Sequence, residues 1–143
     1  MAAATKDVAR AFESGVEPVF NDHALTASAT IYEGQVVTLG ATTNTAGTFA
    51  STDTFAGFAM TKAVQADGAT HAHVRAQGAI KLTIAIAASV DVGDTVYASD
   101  NNTFDDVSSG GLAVGRVHRI ESETASTAVV IVSFQAASLR SLA

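Results

Sequence analysis

Cysteine and tryptophan are absent from this sequence of 143 residues, and proline occurs once. Without cysteine there are no disulfides and no thiolate metal ligands, and the redox compartment stays open. Aromatics are 6% of the chain against 48% hydrophobic residues in all, so the core must be built from Ala, Val, Ile and Leu. Charge is scarce as well: 15% of residues carry it, well under the usual quarter. That points to a neutral Ala- and Thr-rich surface, or to surface covered by other chains. Eight Lys and Arg stand against fourteen Asp and Glu, a net charge of −6 with no basic stripe. Nucleic acid is therefore not an expected partner. The longest apolar runs are about five residues, far short of the ~20 a membrane helix needs. Lys6, Asp7, Arg10 and Glu13 interrupt the start of the chain where a signal peptide needs its apolar core. A soluble chain with no membrane span and no export signal is expected.

What is present is β pattern. The stretch His71–Ile86, HAHVRAQGAIKLTIAI, places Ala72, Val74, Ala76, Ile80, Leu82, Ile84 and Ile86 at even positions. Mostly polar residues (His71, His73, Arg75, Gln77, Lys81, Thr83) fall at odd ones, the alternation of a strand with one buried face. Straight, such a strand would span on the order of 50 Å, too long for a small domain. Gly78 lies in mid-run, where a residue without Cβ lets a strand bend or bulge while keeping its buried face. One bent strand or two collinear ones are expected, with a compact β-barrel or sandwich closing around them.

Residues 1–30 read as an extended N-terminal arm, and residues 31–143 as a single β domain. Ala2–Phe12 has weak helical character, stopped by Ser14-Gly15 and Pro18. Val16, Val19, Phe20 and Leu25 are apolar residues of the arm without sustained periodicity. They are candidates for packing locally or against a partner. Tyr32–Leu39 is a turn into a strand; Gly40–Asp53 is a polar connection with a short strand at Thr48-Phe49. Phe55–Ala63 is a strand broken by Gly57, and Gln65–Gly68 is a turn with Asp-Gly chemistry.

The same order then returns. Val92–Tyr97 parallels Glu33–Thr38, Thr103-Phe104 parallels Thr48-Phe49, Ala113–Val117 parallels Phe55–Ala59, and Thr127–Phe134 parallels His71–Gly78, at offsets close to 57 residues. Two similar β halves are expected, by duplication or by shared turn chemistry. Aligned this way, His71, His73 and Arg75 lie outside in the first half, but Thr127, Val129 and Ile131 lie outside in the second. A strand apolar on both faces is normally covered on both. Either the arm or another subunit should lie over Val129 and Ile131.

No catalytic constellation emerges, so no enzyme activity and no cofactor is expected. His71 and His73 share a strand face but lack a third ligand at metal-site spacing, and His23 and His118 are isolated. Asp100–Asp106, DNNTFDD, offers oxygens for Ca²⁺ but lacks the Gly and Glu positions of an EF-hand loop, so a turn is expected. Ser108–Gly111 has no following Lys and opens into a strand, against phosphate binding. The pairs Asp91/Asp94 and Asp105/Asp106 have no evident hydrophobic pocket to separate their pKa values.

The succession G-Q-V-V-T-L, F-A-G-F-A, V-R-A-Q-G-A-I-K-L, V-G-D-T-V-Y, A-V-G-R-V and A-V-V-I-V spans roughly Ile31–Phe134. It resembles the small β-barrel capsid decoration (cement) proteins of tailed bacteriophages. The resemblance implies a structural protein on the outer surface of the virion, bound to the major capsid protein of an expanded head, commonly as a homotrimer tying neighbouring subunits together. It carries no catalytic residues. In that reading residues 1–30 face the capsid, and Val129 and Ile131 pack between subunits. A carbohydrate- or ligand-binding β module of a virion appendage is the alternative; with no Trp and only Tyr32 and Tyr97, the exposed aromatic platforms of such modules are not evident.

Overall fold

The computed structural model describes residues 3–108 and 110–139. The chain is all-β: a closed five-stranded barrel with additional strands, and no α-helix among the described residues. The strands are β1 (Phe12–Glu13), β2 (Val19–Ala24), β3 (Thr30–Ile31), β4 (Val36–Leu39), β5 (Thr54–Ala59), β6 (Ala63–Val64), β7 (His71–Ala85), β8 (Thr95–Asp100), β9 (Thr103–Asp105), β10 (Leu112–Glu123) and β11 (Thr127–Gln135).

β7 is the shared wall, one continuous strand. Its neighbours β9, β8, β10 and β11 close the barrel back onto its second half. Its first half pairs with β2 on one edge and β5 on the other. β5 carries β4, and single bridges from Ala46 to Leu39 and to Leu25 complete a smaller ring back to β2. Two rings thus share one strand. Each has its own core: Ile31, Val37, Ala56, Ala72 and Val74 in the first, and Val96, Val114, Val130, Val132, Leu82 and Ile84 among others in the second.

A bulge reconciles the two rings. Val19 and Phe20 are consecutive, yet face Gln77 and Arg75 across the ladder. Paired residues share a side, so Arg75 and Gln77 point to opposite sides of β7. The even positions are buried throughout, as the alternation predicts. The side they point to nevertheless changes at the bulge, because one extra residue exchanges the faces of a strand. The first ring therefore closes on one side of β7 and the second on the other. The expectation of a bend that keeps its buried face is corrected accordingly. Beside the bulge, Gly78 leaves room for the Arg75 side chain, whose Nε lies 2.6 Å from where a Cβ would stand.

The halves repeat in detail. Gly34 and Gly93 have φ of +84° and +98°, and their N–H groups donate to Ala59 O and Val117 O, both at 2.8 Å. The Tyr32 N–H donates to Gln35 Oε1 at 2.9 Å, and that of Asp91 to Asp94 Oδ2 at 2.8 Å. Both β4–β5 and β8–β10 slip register at the same place, beside Gly57 and Gly115. At these glycines a Cβ would overlap the carbonyl oxygen of Arg75 or Ser133, and would lie 2.8 Å from Cγ1 of Val74 or Val132. Val74 is thus the counterpart of Val132, two residues on from the alignment that sequence suggests. The outer face of the first ring, with Val36, Phe55 and Phe58, packs into the second core against Phe104 and Phe134.

The N-terminal segment is docked from Ala4 onward. The expected helix is missing: Val8 donates to Glu33 O at 2.8 Å, Asp7 Oδ1 accepts from Glu33 N–H, and Ala4 N–H reaches Asn101 Oδ1. Ala2–Phe12 has no sustained apolar face to support a helix, and the partners of Ala4–Phe12 lie on both rings instead; Ala2 lies outside the described residues. Thr48-Phe49 is not a strand, since the bridges form at Ala46. β5 runs through Gly57 and stops at Ala59, and Gln65–Asp67 form a 3-10 turn ended by Gly68 at φ +98°.

Candidate interaction surface

β2 is the strand whose residues remain most open. On one side, Phe20 and Asp22 stand opposite Arg75 and His73. The Phe20 ring is 47% exposed and stacks on the His73 imidazole at 5.7 Å, with 9° between planes. Asp22 Oδ1 meets His73 Nδ1 at 2.8 Å. The Arg75 guanidinium lies 4.3 Å from the Phe12 ring and 5.8 Å from that of Phe20, and Phe12 in turn packs on Phe134 at 6.3 Å. An aromatic and cationic series therefore runs from the barrel core to the surface. Burial lowers the Arg75 pKa from its usual value. On the other side of β2, His23 is held below its usual pKa by desolvation, which the nearby Asp22 carboxylate opposes.

A second feature lies on the outer wall of the barrel. A groove of about 430 Å³ is lined by Val16, Gln77, Thr95, Arg116, Ser133 and Gln135, among others. The Gln135 side chain donates to Gln77 Oε1 at 2.8 Å, and Gln77 donates to Glu17 O at 3.0 Å. Arg116 donates to Gly93 O at 3.0 Å. In the first ring the counterpart residues are Val36, Phe55 and Phe58, which bury against the second. The groove mixes polar side chains (Thr95 and Arg116 in place of Val36 and Phe58) with apolar Val16, Ala113 and Phe134.

The residues singled out from sequence are dispersed. Ile131 is fully buried and Val129 half-buried within the single chain. Their cover comes from the arm's side: Glu13, opposite Ala79 on β7, reaches Arg119, which stands opposite Ile131, at 3.5 Å. Val8–Ala11 border Val129, and Gly15 comes within contact range of His118. Val16 and Val19 are half-buried, and Leu25 packs on the first core. His71 is exposed and meets the Thr70 hydroxyl. Asp100 accepts from Asn102 N–H and the Thr103 hydroxyl and so serves the turn, while Asn101 and Asn102 Oδ1 accept from Ala4 N–H and Arg10 of the N-terminal segment. Asp105 is pushed above its usual pKa, chiefly by desolvation, and Asp106 Oδ1 is buried without a hydrogen-bond partner. Among the described residues, no group of three or more His, Asp or Glu is placed to hold a metal ion. Part of the Ser108–Gly111 stretch, Ser109, lies outside the described residues.

Sequence reasoning missed Arg10. Its guanidinium donates to Gly34 O and Asn102 Oδ1 and lies 5.4 Å from the Phe104 ring, joining the turn of one ring to the hairpin of the other. Nothing local marks it: its partners are far along the chain. Comparison with protein-family models and with curated proteins yields no match.

Proposed function

We propose that this chain is a capsid decoration protein, binding the outer surface of an expanded phage head and tying neighbouring capsid subunits. The observation that carries the reading is where the resembling motifs fall. Val92–Tyr97 forms the glycine turn into β8, and Ala113–Val117 the pinched start of β10, so both lie in the wall of the closed barrel. The fold class expected from the resemblance is the one the chain adopts. In this reading the exposed side of the docked N-terminal segment, with Thr5, Lys6 and Ala9, faces the shell, and many modest contacts sum across a homo-oligomer, commonly a trimer.

The test is co-sedimentation with expanded, undecorated heads of the phage that carries this gene, beside unexpanded procapsids. Saturable binding to expanded heads alone, with a gain in their heat resistance, is expected. Binding to neither would overturn the reading and turn attention to glycans as ligands of an appendage module.

A further inference from the structure

The two rings differ at one strand edge. Asn21 stands opposite Val74 and Ile80 opposite Val132, so, with Val74 and Val132 as counterparts, Asn21 and Asp22 correspond to Ile80 and Lys81. In the second ring that edge is covered. β1 pairs there, Phe12 with Ile80 and Glu13 with Ala79, and Lys81 N–H donates to Ala11 O at 2.9 Å. In the first ring no strand lies beside it among the described residues. The Asp22 N–H, pointing away from β7 as that of Lys81 does, is held only by the side-chain oxygen of its neighbour Asn21, at 3.0 Å.

We propose that the edge of β2 around Asp22, bare as far as Ala24, whose carbonyl accepts from Ala46 N–H, accepts an extended cationic strand from a partner protein, which covers the first ring there as β1 covers the second. Two observations on charge define the occupant. Between Ala11 and Thr61 the chain has no Lys or Arg, while Glu13, Glu17, Asp22, Glu33 and Asp53 are acidic. The carboxylate on the edge is Asp22, whose Oδ1 meets His73 on the β7 side, while the exposed Glu17 lies two residues before β2; solvent-exposed edges of monomers are more often guarded by lysine. A strand added here gains main-chain bonds from the Asp22 N–H and carbonyl, with a basic side chain beside Asp22 and an apolar one against the open face of Phe20. The Asn21 oxygen is a placeholder that the incoming carbonyl displaces.

The inference stands apart from head binding and is tested without heads. The probe is a synthetic six-residue Lys-Val peptide, Thr-Lys-Thr-Val-Thr-Lys, which carries Lys and Val on one face as Phe20 and Asp22 share one, acetylated and amidated, titrated into the isotope-labelled full chain. Amide shifts confined to β2, with slowed exchange of the Asp22 amide, are expected. A Glu-Val peptide and a Lys-Val peptide with a central proline should bind at least tenfold more weakly. Asp22→Asn keeps the outward N–H and removes the charge, so it should weaken the peptide several-fold; Asp22→Pro removes the N–H as well as the carboxylate that meets His73, so it should shift resonances around His73, keep the rest of the spectrum and lose the peptide. Glu17→Lys, whose side chain is exposed, should weaken the peptide several-fold without altering the fold. Absence of β2 shifts at millimolar Lys-Val peptide, or equal binding of the Glu-Val peptide, would overturn the proposal.

Discussion

Gly57 and Gly115 show how much of this architecture rests on single atoms. Each sits where the backbone of the next strand approaches so closely that a methyl group would overlap a carbonyl oxygen. Overpacking of backbone cannot relax by side-chain rotation, so Gly57→Ala and Gly115→Ala should each cost about 3 kcal/mol. Gly68→Ala, at φ +98° but in open space, should cost only about 1 kcal/mol. In urea unfolding Gly115→Ala reads steric overlap alone and Gly68→Ala backbone strain alone, while Gly57→Ala, at φ +130°, reads both. His23 and Asp105 carry the pH dependence. Desolvation places the folded-state pKa of His23 below 6.5, so its contribution is intact above 6.5 and is lost as pH falls toward the lowered value. His23→Gln should flatten the thermal stability profile on the acid side of 6.5. The folded-state pKa of Asp105 is raised above 3.8, so its ionisation disfavours folding as pH rises past that value. Asp105→Asn should raise the melting temperature at pH 7, and the gain should vanish on acidification to about pH 4.

At the level of elements, β7 and the docked segment before it decide the fold. The alternation of His71–Ile86 was legible because hydrophobic burial acts on each residue in turn. The bulge was not, since an extra residue leaves the even-odd pattern intact while exchanging the sides. The two halves were legible through their Gly turns, but the counterpart of Val74 needed the pinched glycines to fix it. The cover over Ile131 was anticipated only as a choice between arm and subunit; Glu13 and Arg119 meet across it within one chain. Arg10 was invisible for the reason that makes it effective, partners from both rings. Removing its charge-assisted bonds with Arg10→Ala should cost about 2 kcal/mol in urea unfolding. Ile131→Asp should cost roughly 4 kcal/mol or more, because it buries a carboxylate, whereas the half-buried Val129 should tolerate Asp better.

For the molecule as a whole, the likeness of the two halves frames both what is packed and what is left open. The outer face of the first ring is aromatic because it closes the second core. The corresponding face of the second ring carries Thr95, Arg116, Ser133 and Gln135 beside apolar Val16, Ala113 and Phe134, and forms a groove. The same logic separates the two edges: Ala79 and Ile80 lie behind β1, while Asn21 and His23 line an edge without a strand among the described residues. Surface residues of the candidate face were poorly legible in the sequence, because Phe20, Asp22, His73 and Arg75 come together only through the β2–β7 register.

Residue-resolved hydrogen exchange of the free protein tests this asymmetry most directly, at the Lys81 and Asp22 amides. A Lys81 amide protected by its bond to Ala11, beside an Asp22 amide exchanging orders of magnitude faster, is the predicted result. Equal protection of the two, or a fast Lys81, would contradict the account of one covered and one open ring.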